Sequence, residues 1–165
     1  KISSAIAALN YVSSVARPGD VANLSIGGPS SQKSLDLAVF AAANRGLKLV
    51  IASGNSAVHA STFTPARVNH MNVYTVAAIN KRGCLAYFSN YGTPPVDYAA
   101  PGVDIVSLSK HGRYKKMSGT SMASPHVAGL LLIADSNTDL ETRKSLCQHR
   151  DGGKSQNHIP YLPLI

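Results

Sequence analysis

The residues best equipped for chemistry lie in "SGTSMASPHVAGLLL", residues 118–132. Ser121 stands between a Gly-Thr pair and a run of small residues, where the pattern predicts the mouth of a helix. Unpaired N–H groups and the positive end of the helix dipole would favour negative charge beside its hydroxyl there. Two other segments complement it. In "SIGG", 25–28, Gly27 and Gly28 let a peptide backbone approach closely, because no side chain intervenes. "ASGN", 52–55, ends on Asn55, whose amide can donate to a developing oxyanion. A backbone clamp, an oxyanion donor and an oxygen nucleophile are the equipment for acyl transfer. Each piece has a plainer reading: Thr120 or Ser121 as a helix N-cap, Gly27-Gly28 as an ordinary turn, Gly54-Asn55 as a turn pair. The combination points to chemistry.

A serine hydroxyl attacks only when a base takes its proton. The chain has six histidines, His59, His70, His111, His126, His149 and His158. His126 follows Ser121 by five residues, which on a helix is about 140° round the axis and roughly 7.5 Å along it. It points away from the nucleophile.

The elements that must position these residues alternate. Ile2, Ala5, Ile6 and Leu9 predict a helix over 2–16, closed by Pro18-Gly19. "VANLSI", 21–26, reads as a strand. Leu35, Ala38, Val39, Ala42 and Ala43 share one helix face, with Gly46 as C-cap. "LKLVIAS", 47–53, and "VYTVAAI", 73–79, read as buried strands, and "VDYAAPGVDIVSL" brings further strand–turn elements. Residues 121–135 form a helix apolar nearly all round, hence central and buried, and 138–148 an amphipathic segment. Such alternation predicts an α/β fold, a parallel sheet covered by helices, with ligands gathering beyond the carboxyl ends of its strands.

Composition narrows the class. With 165 residues, 44% hydrophobic and 15% charged, one globular domain is expected. No apolar run approaches the roughly 18 residues of a membrane span. The net charge is +8, and its densest cationic cluster, "KHGRYKK" at 110–116, reads as a solvated loop rather than a nucleic-acid patch. Cys84 and Cys147 match no zinc or redox spacing. The chain opens on Lys1 without a start methionine, so an upstream portion is expected.

"GTSMASPHVAG" resembles the nucleophile segment of the subtilisin-like serine proteases (subtilases). "NLSIGG" is similar to the family's cleft strand and "VIASGN" to its oxyanion-asparagine strand, while "FSNYG" and "DYAAPGVDI" also match. The resemblance runs from about residue 20 to about 135 and implies a three-layer subtilisin-like fold. It makes Ser121 the nucleophile, with Asn55 and the Ser121 N–H as the oxyanion hole. Ser25, Gly27 and Gly28 would bind substrate backbone; Ala52, Ser53 and Gly54 would line the specificity pocket, with Thr120 beside the nucleophile. No histidine or aspartate here stands in the family's setting for the base and its partner. The family's chain order is Asp, His, Ser, so both are expected upstream of Lys1, and residues 1–165 read as the C-terminal part of a catalytic domain incomplete at its N-terminal side. The alternative is a pseudoprotease or peptide-binding module that keeps the cleft without cutting.

The resemblance also implies a protein or peptide substrate, an extracellular or secretory/vacuolar setting, and chemistry without a cofactor. Its proteinase K branch, which "NHIPYLPLI" resembles, suggests a structural Ca²⁺ held by Asp97 with carbonyls of Met71 and Val73. The same branch puts a disulfide cysteine at Cys147 with its partner nearer Tyr74 than Cys84, which argues against a Cys84–Cys147 bond.

Overall fold

The computed structural model describes residues 1–29 and 33–134, together with the backbone of short strands at 143–144, 150–151, 154–155 and 160–161. Helix α1 (Ile2–Val15) leads through Pro18-Gly19 into strand β1 (Val21–Leu24). The short strand β2 (Gly28–Pro29) precedes helix α2 (Lys33–Asn44), which gives way at Gly46 to strand β3 (Lys48–Ala52). Short β4 (Phe63–Thr64) is followed by β5 (Val73–Ile79) and β6 (Val96–Pro101). A hairpin of β7 (Ile105–Ser109) and β8 (Arg113–Met117) leads to helix α3 (Thr120–Ile133).

Strands β1, β3, β5 and β6 pair in parallel in that order, and Pro160–Tyr161 and Arg143–Lys144 extend the sheet beyond β6. Side chains alternate across a strand, and β3 has apolar residues at every step from Leu49 to Ala52. Leu49 and Ile51 therefore join Leu9, Leu35, Val39, Ala42 and Ala43 beneath α1 and α2. Val50 faces the other way and joins Val76, Ala78, Ala123, Val127 and Leu131 beneath α3. Each Val, Leu or Ile among them contributes about 1.5–3 kcal/mol on burial. The result is the expected α/β architecture of three layers, with a parallel sheet between α1/α2 and α3.

Three expectations are corrected. The first strand ends at Leu24 rather than 26, because Ser25 leaves the ladder and bonds to α3 instead. The last long helix is central only through Thr120, Ala123, Ser124, Val127 and Leu131; at its far end Leu132 and Ile133 are exposed. Cys84 is disulfide-bonded, against the expectation drawn from the position near Tyr74. The other cysteine of the chain, Cys147, lies outside the described residues. The segment expected to be amphipathic at 138–148 also lies outside them, apart from the short strand at 143–144. Among the described residues no helix is long and apolar enough to cross a membrane. The basic stretch forms the turn and second strand of the β7–β8 hairpin, and all five residues of β8 are exposed.

Candidate active site

The carboxyl ends of β1 and β3 and the N-terminus of α3 meet at one edge of the sheet. Ser25, just past β1, donates from Oγ to the Ser121 carbonyl at 3.2 Å and shares a hydrogen bond with Ser124 Oγ at 3.1 Å. Asn23 Nδ2 donates to the same Oγ at 3.0 Å. In return Ser121 Oγ lies 3.5 Å from the Ser25 carbonyl, a long contact that leaves the half-buried hydroxyl weakly held.

Asn55, just past β3, reaches the same point. Its Oδ1 accepts from the Thr120 N–H at 2.8 Å and from Thr120 Oγ1 at 3.0 Å. Thr120 is buried, and its Oγ1 in turn accepts from the Gly54 N–H at 3.2 Å. One face of the Asn55 amide is therefore fixed by the residue before Ser121. Among the described residues the other face, Nδ2, donates to nothing, so its two N–H groups remain for an incoming oxygen. Gly119 precedes α3 as its N-cap and has no side chain to cap the helix, whose first N–H goes to Asn55 instead. Neither Thr120 nor Ser121 is spent as a cap.

Ser53 is buried with its hydroxyl turned to the Asn90 carbonyl, at 3.2 Å, and Ala52 is 8% exposed. What residues 52–54 present to a ligand is backbone. Gly54 has φ +108°, and a Cβ there would strike the Asn90 amide and the Phe63 ring, so no other residue fits. A Cβ on Gly27 would lie 2.6 Å from the Thr64 carbonyl oxygen, whereas Gly28 faces open space. Strand β4 thus closes the floor between the SIGG and ASGN segments, pairing Gly28 with Thr64 and Pro29 with Phe63.

Among the described histidines none hydrogen-bonds to Ser121. His126 Nδ1 lies 2.8 Å from the Met122 carbonyl of its own helix, to which it donates. His59 is paired with Ser61 and His70 with Asn44, while His111 sits in the hairpin turn. His149 and His158 lie outside the described residues, as does Asp151 apart from its backbone.

Asp97 sits in β6 rather than in a turn. The pairing of β5 with β6 shifts register between Thr75 and Val76, and Asp97 Oδ2 accepts the Thr75 N–H there at 2.7 Å. Burial pushes the carboxyl up to about 6 despite that hydrogen bond. Burial, with the Asp97 charge as the lesser cause, also raises Tyr74. Val73 opens β5 and is buried; Met71 is exposed and could offer only its carbonyl. Among the described residues the second oxygen of this desolvated carboxylate takes no hydrogen bond, and such a donor suits a hard cation such as Ca²⁺, so the donor types fit the expected ion.

Two residues that hold the site together were not singled out from the sequence. Asn90, fully buried, laces the Asn55 loop to the rest of the molecule. Gly102 accepts the Gly119 N–H at 2.8 Å and so sets the start of α3. The segments "FSNYG" and "DYAAPGVDI" marked both as parts of a family pattern, without any hint of their contacts.

The sequence pattern of the subtilase family matches residues 1–148. A thermophilic serine proteinase of Bacillus sp. (strain AK1) is 47% identical over 134 residues, which cover 80% of this chain and 32% of that protein. Proteinase T of Parengyodontium album is 48% identical over 112 residues, 68% of this chain and 37% of that protein. The chain thus spans about a third of the length of these relatives. The crystal structure of a cold adapted subtilisin-like serine proteinase superposes with a TM-score of 0.82 at 34% identity, covering 99% of this chain and 61% of that one. The layers, the strand-end loops and this sequence match agree: the chain belongs to the subtilase family.

Proposed function

We propose that residues 1–165 are the C-terminal part of the catalytic domain of a serine endopeptidase acting on proteins or peptides. The observation that carries this reading is Asn55, held by its carbonyl to Thr120 while its N–H donors stay unspent one residue from Ser121. Ser121 Oγ would attack the scissile carbonyl carbon and lose its proton to a histidine supplied by a preceding segment. The oxygen that becomes negative would take hydrogen bonds from Asn55 Nδ2 and the Ser121 N–H. Collapse would break the C–N bond, return the proton to the leaving amine and leave an acyl-serine for water to hydrolyse. The backbone at Ser25, Gly27 and Gly28, at least partly exposed, would align an extended substrate, and the backbone of 52–54 would face its side chain.

The preceding segment would supply the aspartate, the histidine and further sheet, so the chain alone would be inactive. The partners are that segment and the substrate; neither nucleic acid nor membrane is invoked, and the chemistry needs no cofactor. A Ca²⁺ held by Asp97 and the carbonyls of Met71 and Val73 would serve stability. The disulfide at Cys84 supports an oxidising, secretory setting.

Sequencing upstream of Lys1 tests the reading. An Asp-Ser/Thr-Gly and a His-Gly-Ser/Thr are expected, and the protein containing them should cleave peptides until Ser121→Ala is introduced. Upstream sequence lacking both would support a peptide-binding module instead.

A further inference from the structure

Asn55 sits on an exposed loop, 55–58, in which Ala57 has φ +52°, a conformation that non-glycine residues adopt only when their surroundings impose it. Loops of this kind hold a donor in place only if something rigid pins them. The pin is the segment 88–91. Asn90 Nδ2 donates to the Ser53 carbonyl at 2.8 Å, and its Oδ1 accepts from the N–H groups of Ser56 at 3.0 Å and Val58 at 3.3 Å. Its backbone N–H donates to the Gly54 carbonyl at 2.9 Å, and its own carbonyl accepts from Ser53 Oγ. One buried side chain therefore grips the chain two residues before Asn55 and at one and three residues after it. The neighbours add the Ala57 N–H to the Phe88 carbonyl and the Tyr91 N–H to the Val58 carbonyl.

We infer that Asn90 is a positioning residue for the oxyanion donor: by clamping Ser53, Ser56 and Val58, it fixes where Asn55 Nδ2 points. The inference rests on the proposed role of Asn55. Asn90 is fully buried, so its effect would pass through the backbone it holds, the loop that carries Asn55 and the adjoining residues 53 and 54. A displacement of about 1 Å can lower a rate by up to 10²-fold. Because the oxyanion exists only along the reaction path, the loss that passes through Asn55 should appear in kcat and not in KM, whereas any shift of residues 53 and 54 would appear in KM.

The test is a double-mutant cycle in the protein that includes the upstream segment with its aspartate and histidine. Asn90→Ala, Asn55→Ala and the double variant are assayed for kcat and KM on a peptide substrate, with folding checked by thermal melting. If Asn90→Ala does not fold, Asn90→Ser, which retains a hydroxyl for part of the network, takes its place. The expected result is a fall of roughly tenfold to a hundredfold in kcat for the Asn90 variant, with a smaller change in KM. The same substitution should bring little further loss once Asn55 is alanine. A full, multiplicative loss in the Asn55→Ala background, or an undiminished kcat for the Asn90 variant, would overturn the positioning role while leaving the role of Asn55 intact. An undiminished Asn55→Ala variant would overturn the role of Asn55, and the inference with it.

Discussion

At the scale of the residue, the site depends on how polar atoms are shared. Asn55 turns its oxygen to Thr120 and keeps its nitrogen for chemistry, so removing the amide takes away an oxyanion donor together with the acceptor of the Thr120 N–H at the start of α3. In the complete enzyme Asn55→Ala is expected to lower kcat by about 10²–10³, a magnitude established for the subtilisin donor rather than taken from these distances. Thr120→Val keeps the shape but leaves the Gly54 N–H without its acceptor. Stability should fall by about 1–3 kcal/mol in urea denaturation, and an unchanged midpoint would show that this hydrogen bond is not needed. Ser121, Asn55 and the SIGG glycines were legible in the sequence because, although each type is common at strand ends and helix starts, their combination in that order is not. Asn90 was not. Its importance lies in six hydrogen bonds to segments up to 37 residues away in the chain, and no local pattern encodes those.

At the scale of the element, hydrophobic periodicity announced α1 and α2, which each bury a face repeating about every 3.6 residues, and a continuous apolar run announced β3, buried on both faces. It misplaced the end of β1, where Ser25 exchanges the ladder for bonds to α3, and it overstated the burial of α3. An all-apolar helix reads as central, yet the Leu132–Ile133 end extends beyond the sheet that covers the rest. The start of α3 is set by close packing at Gly102, where an added Cβ would lie 2.6 Å from Ala78 Cβ and 2.8 Å from the Gly119 carbonyl oxygen. Gly102→Ala should therefore destabilise by about 1–3 kcal/mol through overpacking. Because α3 carries Ser121, kcat should fall with it. A variant with an unaltered melting temperature would show that the strand and helix can part there freely.

At the scale of the whole molecule, the three-layer plan was legible from the order of elements, while the Cys84 disulfide was not, since pairing depends on distances that spacing does not reveal. The register shift that draws Asp97 to the Thr75 N–H was equally hidden. That carboxyl has a predicted consequence for stability. Raised from 3.8 to about 6, it binds more protons folded than unfolded between those values. Stability should therefore decline as pH rises from about 4 to about 6 in the presence of a chelator. Asp97→Asn should flatten that slope. Ca²⁺, which takes the ionised form, should raise stability most above pH 6; melting curves with and without the ion would show it, and identical curves would contradict an ion at Asp97. The central claim is that this chain carries the nucleophile and oxyanion donor while its base comes from the preceding segment. Labelling by a fluorophosphonate, which requires an activated serine, tests it most directly. The account predicts no appreciable labelling of the 165-residue chain alone, and strong labelling at Ser121, abolished by Ser121→Ala, once the segment carrying the aspartate and histidine is present. Strong labelling of Ser121 in the isolated chain, or labelling of the complete protein at another serine, would contradict it.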